Sequence, residues 1–411
     1  MAPHRPRARR AHVVIGSGYG DEGKGLMTDF LAARSGSRGL VIRANGGAQA
    51  GHTVVTEDGR RHVFGHVGSG AFAGSPTYLS RFFVSCPMVL GRELGRLADL
   101  GIRPRLLVDP DSPVTTPWDI LINQVSEMAR AQGRHGSCGL GFGETLERSG
   151  NAEFSLRVRD LDRPGLRDRL ARIRDVWAPR RLAALGVVPD AEHAGYLVLD
   201  SILDRFLEDV GDFLSSVSVS GVESVRDADQ IVFEGAQGLL LDMDRGAFPY
   251  VTRSNTGLRN PLQIAREAGL EGLDVTYATR AYATRHGAGP LAHELPKAPS
   301  PLVVDQTNAP NAWQGTLRFA RLDLDLLSRT VAADLTDASG SCLDISYRVA
   351  VTCLDQFPDG VDWYVGGRQA SGSAWDLVRS AAAAVGGEAP AVSHGPSRLD
   401  VMHPAMELAE L

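Results

Sequence analysis

The segment His12-Val-Val-Ile-Gly16 is a short apolar run that breaks into glycine-rich sequence, the pattern of a buried strand entering a loop. Beyond the loop, Leu26, Met27, Phe30 and Leu31 recur at helical spacing. Gly36 to Gly39 close that segment, and a second apolar run, Leu40-Val-Ile-Arg43, follows. A strand–loop–helix–strand unit of this kind lays two strands parallel with the helix across them. Runs at residues 230–233, 273–277 and 347–351 read as further strands of the same sort. The fold class is therefore α/β, with a large, mainly parallel sheet covered by helices. Residues 156–185 and 197–214 read as long helical stretches, the first with an Arg/Asp-rich face turned to solvent, and residues 381–384 as an alanine-rich helix interior. No linker or internal repeat interrupts the pattern.

Length and composition narrow the function classes. At roughly 150 residues per domain, 411 residues supply two or three domains' worth of core or one large enzyme, and exclude a small binding module. Glycine, at 46 residues, is well above the usual share of about 7% and has no collagen-like period, so it belongs in loops. The net charge of -6 leaves no electrostatic footprint for a nucleic-acid backbone or an anionic membrane, so small-molecule substrates are expected. Four cysteines with no C-x-x-C pair argue against a disulfide scaffold or structural zinc, and for a cytoplasmic location. No apolar run is long enough to span a bilayer. Residues 1–11 lack the apolar stretch of a secretory signal and read as a disordered basic arm.

The densest glycine cluster, Gly16-Ser-Gly-Tyr-Gly-Asp-Glu-Gly-Lys-Gly25, lies between the first strand and the first helix. Two motifs overlap there. Gly18 to Gly23 matches the dinucleotide fingerprint G-x-G-x-x-G, and Gly18 to Lys24 matches the phosphate loop G-x-x-x-x-G-K, with Gly25 where a Ser or Thr belongs. Asp21 and Glu22 would repel a pyrophosphate held only by N–H groups, and the acidic ribose partner expected about 20 residues on is missing, which disfavours a dehydrogenase. A lysine beside a triphosphate and Mg²⁺ tolerates such carboxylates. Gly25 cannot ligate the metal, so Asp21 becomes the candidate metal ligand or base. A bare turn without ligand needs fewer glycines.

Gly20-Asp-Glu-Gly-Lys-Gly25 resembles the signature loop of the adenylosuccinate synthetases, and three further blocks agree in order. Gly46-Gly-Ala-Gln-Ala-Gly-His-Thr-Val54 resembles the family's GGxNAGHTV. Phe233-Glu-Gly-Ala-Gln-Gly238, Leu240-Leu-Asp-Met-Asp244, Pro249-Tyr-Val-Thr252 and Ser254-Asn-Thr256 resemble its FEGAQGTLLDxD…PYVTSSNT. Tyr282-Ala-Thr-Arg285 with Gly287-Ala-Gly-Pro290 resembles its AYxTRVGxGP. The likeness is strong over residues 12–296 and weaker beyond.

The resemblance implies one large domain over residues 12–411, a homodimer, and a purine-biosynthesis ligase that uses GTP and Mg²⁺ to join aspartate to IMP. A lactam oxygen is a poor leaving group; phosphorylation corrects that, and the amine then displaces phosphate. Such chemistry needs a base for the lactam proton, N–H and cationic cover for the phosphoryl group, and support for the accepting oxygen. By resemblance Asp21 is the base and, with the Gly51 carbonyl, contacts the metal. His52 acts at the transferring phosphoryl group and Gln237 near the activated oxygen. Gly20, Glu22, Gly23, Lys24, Gly25 and Thr53 line the nucleotide phosphates. Asp355 in Thr352-Cys-Leu-Asp355, with Ser393, Gly395 and Pro396, matches the family's base-reading TKLD and STGP. A satisfied loop histidine and a structural amide are the plainer readings of His52 and Gln237.

Departures gather at the substrates. The family's Asn at the acceptor phosphate is Gln49, its paired threonines are Ser137 and Cys138, and the arginine reaching in from a dimer partner aligns near Ala152; Thr252 is kept. The arginine run that clamps the amine substrate thins to Arg318 and Arg321, with Thr307 the threonine on that loop and Trp313 either in a guanidinium's place or merely packed. Cys353 replaces the lysine beside Asp355, which leaves GTP favoured and ATP as alternative donor. The expectation is an adenylosuccinate synthetase-type C–N ligase. The alternatives are a specialised secondary-metabolism paralogue with altered acceptor, amine or donor, and a catalytically silent nucleotide-binding regulator.

Overall fold

The computed structural model describes residues 9–130, 136–303 and 316–403. A sheet of ten strands crosses the molecule in the order Val401–Met402, Ala391–Ser393, Asp344–Thr352, Gly272–Arg280, Arg10–Gly16, Gln230–Gly238, Gly39–Arg43, Thr77–Leu79, Leu106–Val108, Ser218–Val219. Every neighbouring pair is parallel except the first, which is antiparallel. The mainly parallel α/β sheet expected from the apolar runs is present. Its central strand, Arg10–Gly16, is nearly all buried because helices cover both faces. The parallel register brings the ends of the longer strands to one edge: Gly16 lies opposite Gly238 and Ala278, Arg43 opposite Glu234, and Thr352 opposite Arg280. Ligand crevices of open α/β sheets form outside the carboxyl ends of strands, and the blocks that begin near Gly20, Gly46, Phe233 and Tyr282 lie at those ends.

A second sheet joins Tyr282–Arg285, Arg318–Asp323, Val361–Val365 and Arg368–Gly372 beside that edge. The loop between its first two members includes residues 304–315, so Thr307 and Trp313 lie outside the described residues. No described helix is long and apolar enough to cross a membrane.

Two expectations about elements need correction. The basic arm ends earlier than residue 11, because the strand begins at Arg10. Arg10 Nε donates to Asp274 Oδ1 at 2.9 Å and Arg9 Nη2 to the Val225 carbonyl at 3.0 Å, which ties both into the fold. Residues 156–185 are not one helix. They divide into a short turn at Val158–Asp160, the helix Leu166–Arg172, a π-turn at Ile173–Trp177 and the helix Ala178–Leu185. Pro164 precludes an unbroken start, and Pro179, which lacks an N–H, displaces the ladder into the wider turn before it. The stretch 197–214 does form a helix, Asp200–Ser216, burying Leu203, Phe206, Val210 and Phe213 along one face.

Candidate active site

The first strand ends at Gly16 beside Gly238, and contact there is backbone to backbone: a Cβ on Gly238 would lie 2.2 Å from the Gly18 carbonyl oxygen. The loop then passes Gly20 and Gly23, whose φ values of 120° and 84° suit glycine. Gly23 opens the helix Lys24–Ala32, and among the described residues no side chain caps that N-terminus. Its first N–H groups and the positive end of the helix dipole are thus available to an anion.

Glu22 folds back into the same loop. Its Oε1 accepts from the Gly18 N–H at 3.0 Å and the Gly20 N–H at 2.7 Å, and its Oε2 pairs with Lys24 Nζ at 2.9 Å. Lys24 also donates to the Gly20 carbonyl at 2.6 Å, and both side chains are buried. Glu22, expected among the nucleotide contacts, therefore braces the loop from within, a role its charge suits because it neutralises the buried lysine. Asp21 stays partly exposed, and its carbonyl accepts from Arg280 Nε. Gly25 has a different reason to be glycine: a Cβ there would meet the Thr53 carbonyl oxygen at 2.9 Å and His52 Cβ at 3.1 Å. The helix start is pressed onto the strand His52–Val55, so the hydroxyl that other phosphate loops carry at this position has no room.

That strand presents His52, buried, with Nδ1 2.6 Å from Glu234 Oε1. Glu234 also accepts from the Ser69 backbone N–H at 3.1 Å and from the Ser69 hydroxyl, and Arg43 Nη1 lies 3.7 Å from it. Burial lowers the His52 imidazole to about 4, with Arg43 and Lys24 acting the same way against the attraction of Glu234. Burial raises the Glu234 carboxyl, but His52, Arg43 and the Ser69 hydrogen bond outweigh it and hold it at about 2. At neutral pH the pair is a neutral imidazole donating Nδ1–H to a carboxylate, which leaves Nε2 as the ring nitrogen for chemistry. Neither Glu234 nor Arg43 stood out as a site residue in the sequence. The available signal was a charged residue at the end of each of two apolar runs, since such residues are almost never fully buried unless paired.

Gln237, at the end of the adjacent strand, has φ 64°, a left-handed conformation that a non-glycine residue holds only when its surroundings impose it. Asn45 supplies part of that constraint: its Oδ1 accepts from the Ala236 N–H at 2.7 Å and its Nδ2 donates to the Ala236 carbonyl at 2.9 Å. Gln49 lies on the next turn, and both its amide nitrogen and its amide oxygen are buried without a hydrogen-bond partner among the described residues.

The expected acceptor side is built from three segments. Asn123 Nδ2 donates to Ser137 Oγ at 2.9 Å, and half-buried Cys138 follows. Gly136, just before them, meets Gly287 closely: a Cβ on Gly287 would lie 3.1 Å from Gly136 Cα. Thr252 donates its N–H to the Leu241 carbonyl at 2.8 Å, in a loop folded around the buried Asp242, whose Oδ2 accepts from the Thr256 N–H at 2.7 Å. Buried Arg285 joins these parts by donating to the carbonyls of Tyr250 (3.1 Å), Ala288 (3.0 Å) and Pro290 (2.8 Å) while its guanidinium lies 4.5 Å above the Tyr19 ring.

Of the two arginines expected to meet the amine substrate, Arg318 is already committed. It donates to Glu294 through Nε at 2.7 Å and through Nη1 to the carbonyls of Gly287 (3.1 Å) and Gly289 (2.9 Å). In this arrangement it holds the turn. Arg321 makes a longer contact, 3.4 Å to Asp362, and lines a hollow together with Gly18, Tyr19 and Arg280. At the far end, pairing of Val351 with Val392 brings the turn Leu354–Gln356, with exposed Asp355, against the strand Ala391–Ser393, and Ser393 Oγ donates to the Gly395 carbonyl at 2.6 Å.

The adenylosuccinate synthetase family model matches residues 13–327. The adenylosuccinate synthetase of Methylococcus capsulatus is 36% identical over 346 residues, covering 80% of this chain and 75% of that protein. The chain belongs to the adenylosuccinate synthetase family. It is accordingly a ligase that forms carbon–nitrogen bonds. The synthetase of Edwardsiella ictaluri is 32% identical over 342 residues, 80% of this chain and 75% of that one. Among solved structures, the fully ligated adenylosuccinate synthetase from Plasmodium falciparum superposes with a TM-score of 0.71 at 17% identity, over 96% of this chain and 99% of that chain. The cyanophage S-2L succinoaminodeoxyadenylate synthetase bound to dGMP and dATP as an energy donor gives 0.59 at 19%, over 98% of each. These two likenesses establish the fold.

Within this family the altered positions acquire locations. Ala152 is exposed, and the nearest arginine before it, Arg148, is fully buried, with Nε 2.9 Å from Asp119 Oδ1 and Nη2 2.8 Å from Asp119 Oδ2. Arg148 is therefore no substitute for a cation at position 152. Among the described residues no cluster of three His, Cys, Asp or Glu side chains is placed to hold a metal by itself. The donors present still fit Mg²⁺, a hard cation that takes one or two carboxylates and substrate phosphates rather than an all-protein cage. The donor types expected for it, the carboxylate of Asp21 and the carbonyl of exposed Gly51, are of that kind.

Proposed function

We propose that this ligase activates the lactam oxygen of a purine nucleotide, IMP or a close relative, with the γ-phosphoryl group of GTP and then joins the carbon to the amine of aspartate or a related amino acid. It would act as a cytoplasmic homodimer. The carrying observation is the meeting, at one sheet edge, of an uncapped glycine-loop helix, the buried His52–Glu234 pair and Gln237 in a constrained backbone. Lys24 and the N–H groups of Gly23 and Gly25 hold the phosphates once Lys24 leaves Glu22. Asp21 takes the lactam N–H proton as the oxygen attacks the γ-phosphorus, while His52 and Gln237 donate hydrogen bonds to the developing charge. GDP departs. The amine, oriented by Arg321, then attacks the activated carbon, and the C–O bond breaks to release phosphate. Mg²⁺ held by Asp21 and Gly51 would neutralise phosphate charge during transfer.

Incubation with GTP, Mg²⁺, aspartate and inosinate labelled with oxygen-18 at the lactam position tests this reading. Label in the released phosphate and an adenylosuccinate-mass product are expected. Unlabelled phosphate overturns the activation step, and no phosphate release with any acceptor favours a silent nucleotide-binding regulator. Cys353 in place of the family's lysine supports a second reading, a specialised paralogue with another acceptor, amine or ATP as donor. Adenylosuccinate as sole product, with GTP alone active, overturns that one.

Proton linkage supplies an independent prediction. His52 is neutral well above its value of about 4, and Nδ1–H already serves Glu234, so Nε2 must gain a proton before it can donate to a phosphoryl oxygen. A phosphate dianion raises the imidazole's proton affinity. Triphosphate binding near pH 7 is expected to take up close to one proton and to weaken as pH rises. Calorimetry in buffers of different ionisation enthalpy reads this directly. Equal uptake in His52→Asn would place the proton elsewhere.

A further inference from the structure

Beside the second sheet lies a hollow that the proposed chemistry does not use. Its volume is about 390 Å³, within the roughly 300–1,000 Å³ of small-molecule sites. The segment 295–299, the strand Arg318–Asp323 and the start of the strand Val361–Val365 border it. Leu295, Pro296, Pro299, Phe357 and Val361 give it an apolar wall, and Lys297, Arg321 and Asp362 bring charge to it. Among the described residues that line it, none belongs to the loop Gly16–Gly25. It shares only Tyr282 and Arg321 with the smaller hollow beside Gly18, Tyr19 and Arg280.

The charges in this hollow do not balance. Asp362 is already engaged: its Oδ1 accepts from the Ser371 hydroxyl at 2.6 Å, and its Oδ2 accepts from Gln369 Nε2 at 3.1 Å and from Arg321 Nε at 3.4 Å. Among the described residues that long contact is the one bond of the Arg321 side chain, so both terminal nitrogens keep their donors. Lys297 is exposed, and among the described residues no carboxylate lies within ion-pair distance of it. One committed carboxylate thus faces two cations beside an apolar wall. A guanidinium with a free fork receives a carboxylate on two parallel bonds, and a lysine adds a compact charge on a flexible stem. The wall favours an anion with an apolar body over a bare ion, because apolar area removed from water contributes about 25 cal/mol per Å².

We propose that this hollow is a second ligand site, for a small organic carboxylate with an aromatic or branched apolar body. The carboxylate bridges Arg321 and Lys297, and the body lies against Phe357 and Val361. Because Arg321 borders both hollows, its capture here withdraws it from the amine substrate. That link rests on the role proposed above for Arg321, whereas binding itself does not.

Phenylpropionate is the probe, with phenylpropanol as the body without the charge and propionate as the charge without the body. Calorimetric titration of the full-length protein should show phenylpropionate binding at least about tenfold more tightly than either, and about tenfold more weakly in Lys297→Gln. Ala298→Trp, which fills the hollow, should abolish binding; should that variant not fold, the exposed Lys297→Gln decides. Of the chain's 43 Lys and Arg residues only Lys24 and Lys297 are lysines, and Lys24 is buried. An amine-specific acylating reagent therefore reads Lys297 among the side chains, and bound phenylpropionate should slow its acylation about tenfold by peptide mass. Both results should persist with GTP and IMP saturating. No binding, equal binding of the three probes, an unprotected Lys297 or displacement by GTP or IMP would overturn the site. Phenylpropionate should also raise the KM of aspartate several-fold at unchanged kcat, and aspartate should weaken phenylpropionate by the same factor. An unchanged KM overturns the link through Arg321 while the titrations still decide the site, and absence of turnover counts against the ligase reading alone.

Discussion

Asp21→Ala and His52→Asn are each expected to lower product formation by roughly 10³-fold or more while GTP binding stays within about tenfold. The two residues act while charge moves, so their removal raises the barrier rather than the ground-state affinity. In the proposed mechanism nucleotide affinity comes from elsewhere, from Lys24 and the N-terminus of the helix Lys24–Ala32, which no side chain caps. The His52 result depends on its neighbour, because Nδ1 is fixed 2.6 Å from Glu234 in a buried pair. Glu234→Gln should therefore be impaired too, with normal nucleotide binding but a weakened proton uptake. Single-turnover phosphate release and equilibrium nucleotide binding on the same preparations separate the two effects. Undiminished turnover in Asp21→Ala or His52→Asn would overturn the catalytic assignment.

Gly25→Ser restores the hydroxyl of an ordinary phosphate loop and is nevertheless expected to damage the enzyme. The new Cβ would lie 2.9 Å from the Thr53 carbonyl oxygen and 3.1 Å from His52 Cβ, both on a strand that cannot yield without moving His52. Overpacking of this kind costs about 1–3 kcal/mol, to be read as a lower midpoint in denaturant. A displacement of order 1 Å at a catalytic group can cost about 10²-fold in rate, so turnover should fall by about that much even where the protein remains folded. Wild-type stability with wild-type turnover in Gly25→Ser would show that the helix and the His52 strand are not packed as described. The same geometry means that no hydroxyl can stand where this loop touches that strand.

Much of this site was legible before the fold was known, and for local reasons. A glycine loop between an apolar run and a helical pattern must lie at a strand end, so Gly20, Gly23, Lys24 and Gly25 could be placed by their immediate neighbours alone. The helix expected across residues 156–185 failed for a local reason that was present but unweighed, the prolines at 164 and 179. Glu22 and Arg318 show what a motif leaves open. Charge and position in a motif show that a residue is near a ligand, but they do not say whether its hydrogen bonds are already taken. Glu22 spends its carboxylate on Gly18, Gly20 and Lys24, and Arg318 spends its guanidinium on Glu294, Gly287 and Gly289.

The sequence by itself determined the α/β class, the family and the glycine-rich loop at the end of the first strand, because these depend on periodicity and on motifs whose residues are contiguous. Only the tertiary structure decided which polar groups are satisfied. Glu234 and Arg43 come from separate strands brought into register by parallel pairing, so their meeting with His52 is a property of the sheet. Among the described residues the buried amide of Gln49 has no hydrogen-bond partner, which its place in the motif did not reveal. Hydrogen-bond saturation is a sum over three-dimensional neighbours, and no local pattern of residues contains it.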